Sequence, residues 1–412
     1  MMVTPLLTVL VVAISTSCVG HSAGVKTAPT DARIVDSGLH ALPIAAVTPA
    51  TMPPFETSEN ATPAELERAL DEGKAVRREL EWVEREEAVA SGEMAAGEYI
   101  VTYLITPADD YYDLEAAEAK LPAHHTTVMP GSAHVSVVVR DAADGRLVQG
   151  LNVEASFGSG ASGTLRRVRL PFGWHPILNR YGENVVLPDG PFTLTIHIVM
   201  PTYARQDSVN GNRFAEDVTA RFANITVSSD SLAVAAQRLA HGDGRDAVDL
   251  SRQEGTAVAS SFLTALRADP ANGLQRKSGG YTVTVLLRRA QGVWISRDDK
   301  LVYKPPNNSV GPVNHMEISI RDVTTGRLVP DLNVRATILK SRRKEIDTYA
   351  APFMWHPWMN HYGLNVAVPG KGSYIIRVRA DAPSFRRYGS SALTKFNRPV
   401  DVELRGLHFV AQ

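Results

Sequence analysis

The chain has 412 residues, of which 44% are hydrophobic and 21% charged, so it carries enough apolar material for two or three folded domains. Its 43 Lys and Arg residues nearly balance 44 Asp and Glu residues, and the formal net charge is -1. No basic stripe of the kind that nucleic-acid-binding proteins carry is present. The composition therefore argues against a nucleic-acid partner.

The N-terminus resembles a secretion signal. A short apolar run, Leu6–Ile14, is followed by small residues and then by Cys18. The run is too short to span a bilayer. Residues 1–18 are therefore predicted to be a signal segment, and the protein is expected to be exported to the periplasm or the cell surface.

Cys18 is the only cysteine, so no disulfide can form within the chain. Its position directly after the apolar run is typical of a bacterial lipoprotein signal, in which the cysteine receives a lipid anchor. A plain signal peptide that is cut near Ala23 is the alternative. Residues 19–61, rich in Ala, Thr, Pro and Ser, are predicted to form a flexible tether.

A helix is predicted to begin at Thr62, because Thr62, Pro63 and Glu65 form a capping-box sequence with proline in the first turn. Apolar residues then recur at helical spacing, and the predicted buried face consists of Leu66, Leu70, Leu80 and Val83.

An internal repeat dominates the rest of the chain. The segment that starts at His134 reads HVSVVVRDAADGRLVQGLNV, and the segment that starts at His315 reads HMEISIRDVTTGRLVPDLNV. Further matches occur in the same order before and after these segments. We therefore predict a duplicated unit, with a first copy at 62–229, a linker at 230–245 and a second copy at 246–412.

Each copy has a β pattern. Residues 192–198 alternate strictly between apolar and polar side chains, as a half-buried strand does, and residues 374–378 repeat that pattern. Short strands at this density, separated by turns, predict a mainly β fold in which each copy is an antiparallel β-sandwich preceded by an α-helix.

Catalytic motifs are not evident. The chain has no Gly-x-Ser-x-Gly sequence in a strand-turn-helix setting, no defensible pair of catalytic carboxylates, and no thiol besides Cys18. The protein is therefore not expected to be an enzyme.

One segment of the second copy concentrates metal-binding side chains. Met354, His356, Met359 and His361 lie within eight residues, and imidazole suits copper, iron and zinc, whereas thioether favours Cu(I). The alternative is that Met359 and its tryptophan neighbours fill the core while the histidines bond to the backbone.

The first copy lacks three of these residues, since Gly173, Leu178 and Arg180 replace Met354, Met359 and His361. A metal site would therefore exist only in the second copy. A histidine begins a strand in each copy, and for His315 both a structural role and a ligand role remain open.

The second copy resembles the family of periplasmic iron-transport-associated proteins. The resemblance rests on Met354, six intervening residues and then His361-Tyr362-Gly363-Leu364-Asn365, followed by an alternating strand. It implies an immunoglobulin-like β-sandwich that binds Cu(II) or Fe(II) and assists iron uptake, with Met354 and His361 as metal ligands. Homodimers are usual in that family, so the resemblance also implies that the two copies pack as a pseudo-dimer.

Two features depart from the family. Its His-x-Glu pair has no clear counterpart around residues 293–295, and residues 113–115 are the nearest match in the first copy. A further family histidine is replaced by Gln206 and Tyr388.

We therefore expect a non-catalytic, extracytoplasmic protein that binds copper or iron through Met354, His361, His356, Met359 and His315, with a membrane metal transporter as its partner. The alternative is a cell-surface β-sandwich interaction module without metal.

Overall fold

The structure is a computed structural model that describes residues 58–113, 124–125, 128, 131–159, 166–241, 245–306, 313–340, 344–368, 370, 372–389 and 395–409. The predicted signal segment at 1–18, with Cys18, and the predicted tether as far as residue 57 lie outside these residues.

The first helix, α1 (Pro63–Glu86), begins with the predicted capping box. The Thr62 backbone N–H donates to Glu65 Oε2 (2.8 Å), and the Glu65 N–H donates to Thr62 Oγ1 (3.4 Å). Leu80 and Val83 are buried as predicted, but Leu70 is 42% exposed. The buried face of α1 is therefore narrower than the leucine spacing predicts.

The first copy contributes the following strands: β1 (Ala90–Ala96), β2 (Tyr99–Pro107), β3 (Tyr111–Asp113), β4 (His124–His125), β5 (Ser132–Asp141), β6 (Asn152–Ser159), β7 (Arg166–Leu170), β8 (Phe172–Trp174), β9 (Arg180–Val186), β10 (Phe192–Val199), β11 (Ala204–Gln206) and β12 (Val218–Ile225).

The second copy follows helices α2 (Ser229–His241) and α3 (Arg245–Ala268). Its strands are β13 (Gly273–Ser278), β14 (Tyr281–Arg289), β15 (Val293–Arg297), β16 (Lys300–Lys304), β17 (Val313–Asp322), β18 (Val334–Leu339), β19 (Glu345–Ala351), β20 (Phe353–Trp355), β21 (His361–Ala367), β22 (Gly372–Ala380), β23 (Arg386–Tyr388) and β24 (Val400–Phe409).

These strands form an eight-stranded and a four-stranded sheet for each copy, which confirms the predicted mainly β, sandwich-like class. The larger sheets run β1-β2-β5-β9-β8-β23-β3-β4 and β13-β14-β17-β21-β20-β11-β15-β16, and the smaller ones β12-β10-β6-β7 and β19-β18-β22-β24. Two short parallel pairs interrupt the antiparallel pattern, β8 with β23 and β11 with β20.

Both parallel pairs join the two copies. Strand β11 of the first copy lies between β20 and β15 of the second, and β23 of the second copy lies between β8 and β3 of the first. Each copy therefore supplies one strand to the other copy's large sheet. This reciprocal exchange satisfies backbone hydrogen bonds on both sides of each inserted strand.

Helices cover the outer face of the large sheets, while the inner faces form the sandwich cores. Val76, Leu80 and Val83 of α1 pack against Leu104 and Val138 of the first copy's sheet. Helix α3 covers the second copy through an apolar cluster of Ala69, Val258, Phe262, Ala265, Leu286, Leu328, Trp358 and Met359. Strands β5 and β17 are consequently buried on both faces, as their near-continuous burial shows.

The predicted linker at 230–245 largely coincides with helix α2. All described residues belong to one compact unit that extends from Ile44 to Gln412, which agrees with the exchange of strands between the copies. The predicted boundaries between the copies are therefore defined by the sequence repeat, and the two copies do not form separate compact units.

The substitution Gly255→Ala is expected to lower the free energy of unfolding by about 1–3 kcal/mol. Alanine favours helices over glycine by about 1 kcal/mol, but a Cβ at this position of α3 would lie 1.9 Å from the Thr325 carbonyl oxygen. Chemical denaturation of both proteins measures the difference.

Gly280→Ala is the matched control, because a Cβ there meets nothing within 4 Å, and its stability should stay the same or rise slightly. Equal stability of Gly255→Ala and the wild type would show that α3 does not pack tightly on the Thr325 turn.

Candidate metal centre

Two neighbouring strands of the second copy bring three donor side chains together. His315 and Glu317 are two residues apart on β17, so both point to the same face of the sheet, while Met316 points into the sandwich core. His361 begins the adjacent strand β21. One nitrogen from each imidazole and one Glu317 oxygen lie within 4.8 Å of one another, and all three residues are fully buried.

The two imidazole rings meet through their Nε2 atoms, which are 3.2 Å apart. His361 Nδ1 lies 2.8 Å from the Met359 carbonyl oxygen, so Nδ1 must carry the proton and donate it. His315 Nδ1 lies 2.9 Å from Asn365 Oδ1, and the Asn365 amide nitrogen donates to the Gln291 carbonyl, which fixes the amide orientation. Both Nε2 atoms of the neutral rings are therefore bare acceptors that face each other.

Bare lone pairs at this separation repel unless a cation lies between them. Two nitrogens that bind one cation at about 2.0–2.1 Å in tetrahedral geometry are about 3.3 Å apart, close to the observed spacing. The hydrogen bonds at Nδ1 are the outer contacts that usually orient metal-binding imidazoles. The pair is thus arranged as a chelate.

In the third donor, Glu317, one carboxylate oxygen is hydrogen-bonded and the other is not. Oε2 accepts a hydrogen bond from Arg288 Nε at 3.0 Å, whereas Oε1 is buried with no hydrogen-bond partner among the described residues. A buried carboxylate oxygen without a partner costs free energy, and a cation at the two imidazoles would offset that cost.

Glu317 is not among the predicted ligands, because the family's His-x-Glu pair was expected around residues 293–295, where it has no clear counterpart. His315-Met316-Glu317 is a His-x-Glu sequence, and the period of two in a strand puts both side chains on one face. The alternation of side chains between the two faces of β17 is the sequence signal that identifies Glu317 as a neighbour of His315.

Met354 lies opposite His361 in the antiparallel pair of β20 and β21, so their side chains leave the sheet on the same face. Its side chain is buried. Gly363 makes room for the His361 ring, because a Cβ at Gly363 would lie 2.8 Å from His361 Cδ2. The His-Tyr-Gly sequence therefore has a steric reason for its glycine.

The other two predicted ligands are His356, which is not part of this three-residue group, and Met359. The ring of His356 has its centroid 5.6 Å from that of His361, and its Nδ1 accepts from the Trp358 N–H at 3.4 Å. Met359 packs in the apolar cluster under α3 with Val258 and Phe262. The structure thus brings His315 and His361 together with Glu317, puts Met354 beside His361 on the same face of the sheet, and places Met359 among core side chains.

In the first copy an internal cation takes the corresponding place. Arg180, which replaces His361, is buried and donates to Glu87 Oε2 at 3.2 and 3.3 Å. Ser136 replaces Glu317 on β5. Gly173 replaces Met354, and a Cβ there would lie 2.1 Å from the ring of Tyr388. Among the described residues of this copy, the positions of His361, Glu317 and Met354 therefore offer no imidazole, carboxylate or thioether to a metal ion.

Strand exchange adds one residue from the other copy to each of these regions. Tyr388 of β23 lies against His134, with ring centroids 5.0 Å apart. Gln206 of β11 occupies the equivalent position in the second copy; it is fully buried, and neither amide atom has a hydrogen-bond partner within the described part of the chain. From the repeat we infer that the Gln206 amide faces the His315 side of the second copy.

Burial keeps the imidazoles neutral. It lowers the pKa of His315 to about 4, with a further contribution from His361, and it lowers the pKa of His361 to about 4. The pKa of His356 is lowered as well, by burial and by the neighbouring rings. Neutral imidazole is the form that binds metal ions, so the rings are ready ligands well below pH 6.

Comparison with known proteins finds limited similarity to a few solved structures. Two structures of FetP from uropathogenic Escherichia coli, one of them a copper-bound variant, are similar over 34% of this chain, with 14% and 15% sequence identity and a TM-score of 0.25 in each case. The matches cover 97% and 95% of the FetP chains. No protein-family model and no curated protein sequence matches the chain.

Dimeric latent PorU from Porphyromonas gingivalis is similar over 77% of this chain and 34% of its own, at 8% identity and a TM-score of 0.16. Among the described helices, none combines the length and the apolar composition that crossing a membrane requires.

Lowering the pH from 7 to 5 is expected to reduce the contribution of His315 and His361 to the free energy of unfolding of the metal-free protein. The unfolded chain protonates its histidines near pH 6.5, whereas the folded protein keeps the pKa of His315 and His361 at about 4. Their contribution to stability is therefore complete above about pH 6.5 and is lost as the pH falls toward 4.

Urea denaturation at both pH values tests this expectation. On acidification, the free energy of unfolding of the double variant His315→Gln/His361→Gln should fall less, or rise more, than that of the wild type. The same pH dependence in the double variant would mean that these two rings do not titrate as described.

Proposed function

We propose that the second copy binds a copper or ferrous ion and that the chain is an extracytoplasmic metal-binding protein that assists metal uptake. The observation that carries the proposal is the pair of Nε2 lone pairs of His315 and His361, 3.2 Å apart, with both Nδ1 atoms committed to hydrogen bonds. Such a pair is costly when empty and favourable around a cation.

The donor types suit copper and iron. Two imidazoles are common to both metals, the Glu317 carboxylate favours Fe(II) or Cu(II), and the Met354 thioether favours Cu(I). The donors fit a cation of this class, since donor atoms of His315, Glu317 and His361 lie within 4.8 Å of one another and Met354 is the strand partner of His361.

Full burial of the donors favours retention of an ion over conversion of a larger substrate, so we propose a binding role without catalysis. The signal-like N-terminus supports a site of action outside the cytoplasm, and Cys18 offers a lipid anchor. A membrane metal transporter is the proposed partner. A cell-surface interaction module without metal is the function that remains if no ion binds.

Titration of the purified protein with Cu(II), Cu(I) and Fe(II) under controlled redox conditions is expected to show one ion per chain. His361→Arg, which introduces the residue that the first copy has, should abolish binding, because a guanidinium would occupy the cation's place. Glu317→Gln should weaken binding about 10- to 100-fold.

The control is His134→Gln, at the counterpart of His315 in the first copy, which should retain the full stoichiometry. Circular dichroism of each variant verifies the fold. Retention of one bound ion by His315→Gln/His361→Gln, or no uptake of any of the three ions by the wild type, would refute the proposed site.

We further propose that Gln206 completes the site from the first copy, on the basis of its buried, unpartnered amide. Gln206→Leu is then expected to weaken copper binding about tenfold or more, and Gln206→His, with a better donor, should strengthen it. Tyr388→Leu, which alters the equivalent position in the first copy, should leave the affinity unchanged. Equal affinities for all Gln206 variants would remove this residue from the site.

A further inference from the structure

A buried arginine of the first copy contacts the metal-site loop of the second. Arg146 follows the turn after β5, and its side chain is only 2% exposed. Its Nη2 donates to the carbonyl oxygens of His356 (3.0 Å) and Pro357 (3.1 Å). These carbonyls belong to the loop that leads from β20 to His361.

The Asp144 carboxylate holds the Arg146 side chain in place. Asp144 Oδ2 accepts from Arg146 Nε at 2.9 Å, and Asp144 Oδ1 accepts from the Arg146 backbone N–H at 2.9 Å. The Asp144 side chain is completely buried. A paired and buried guanidinium of this kind has few alternative positions, so it acts as a rigid support.

The loop that Arg146 holds sets the direction of the His361 ring. The His356 N–H donates to Asn360 Oδ1 at 3.1 Å, which closes the loop, and the Met359 carbonyl accepts from His361 Nδ1 at 2.8 Å. A shift of the loop backbone would move the Met359 carbonyl and rotate the imidazole away from His315.

We propose that Arg146 is a positioning residue for the metal centre, through which the first copy fixes the loop that directs His361 Nε2 toward His315 Nε2. This inference rests on the proposed function. It gives the first copy, which lacks the donors, a part in metal binding in addition to its exchanged strand.

The duplication supplies a matched control in the same molecule. Arg327 is the counterpart of Arg146, and it donates to the carbonyl oxygens of His175 (2.7 Å) and Ile177 (3.0 Å) in the first copy. That loop leads to Arg180 instead of a histidine. Arg327 is equally buried, with Glu254 at 3.8 Å and the Trp174 ring beneath its guanidinium, so its loss also removes buried contacts between the copies.

The experiment compares Arg146→Lys with Arg327→Lys in the full-length protein by Cu(II) titration, Cu(II) electron paramagnetic resonance and thermal unfolding. Both variants should unfold at a lower temperature than the wild type. Arg146→Lys should raise the Kd for Cu(II) about 10- to 100-fold and alter the resonance spectrum, whereas Arg327→Lys should keep the Kd within about twofold and leave the spectrum unchanged.

Equal changes of Kd in the two variants would show that general destabilisation causes them and would overturn the positioning role. An unchanged Kd in Arg146→Lys would overturn that role alone, whereas no copper uptake by the wild type would refute the proposed function as well. If Arg146→Lys does not fold, Asp144→Asn/Arg146→Gln, which removes both charges of that buried pair, replaces it and is compared with Glu254→Gln/Arg327→Gln.

Discussion

The exchange of β11 and β23 between the two copies is the constraint on which the rest of the molecule depends. Each inserted strand has only three residues, so its own hydrogen bonds cannot hold it in place. Buried arginines stabilise the segments around them: Arg205 donates to the carbonyls of Pro201 and Phe214 (3.0 Å each), and Arg387 donates to that of Pro383 (2.9 Å). Neither large sheet is complete without the other copy.

The two copies of the sequence repeat hold corresponding sites that differ in how charge is balanced. In the first copy, the guanidinium of Arg180 is a permanent cation with Glu87 as its counter-charge, and the Tyr388 ring fills the remaining space. In the second copy, His361 replaces Arg180, and the proposed exogenous ion would take the place of that guanidinium between His315 and His361. A buried charge without a partner is costly, so each arrangement requires its own compensation. The common fold therefore does not imply a common function.

The sequence predicted what depends on local pattern. The repeat, the helix start at Thr62 and the strand pattern are short-range signals, and His315 and His361 were both among the candidate ligands. Gln206, Arg146 and the exchanged strands involve contacts between residues far apart in the chain, which periodicity does not encode. Met359 shows that local pattern can also mislead. Its place in the His- and Met-rich segment suggests a metal ligand, but its side chain packs under α3.

The charge of Arg288 bears on which ion the site accommodates. The guanidinium lies 3.0 Å from Glu317 Oε2 and already balances that carboxylate, so any bound cation adds net positive charge to buried surroundings. The desolvation cost rises with that charge, which favours Cu(I) over a divalent ion while Arg288 stays in place. Arg288 is 30% exposed and rests over the Trp358 ring, and only a turn of its side chain toward solvent would release the carboxylate to a divalent ion. With Arg288 in place, Glu317 would offer one oxygen to a monovalent ion. With Arg288 turned away, it would offer two oxygens to a divalent ion.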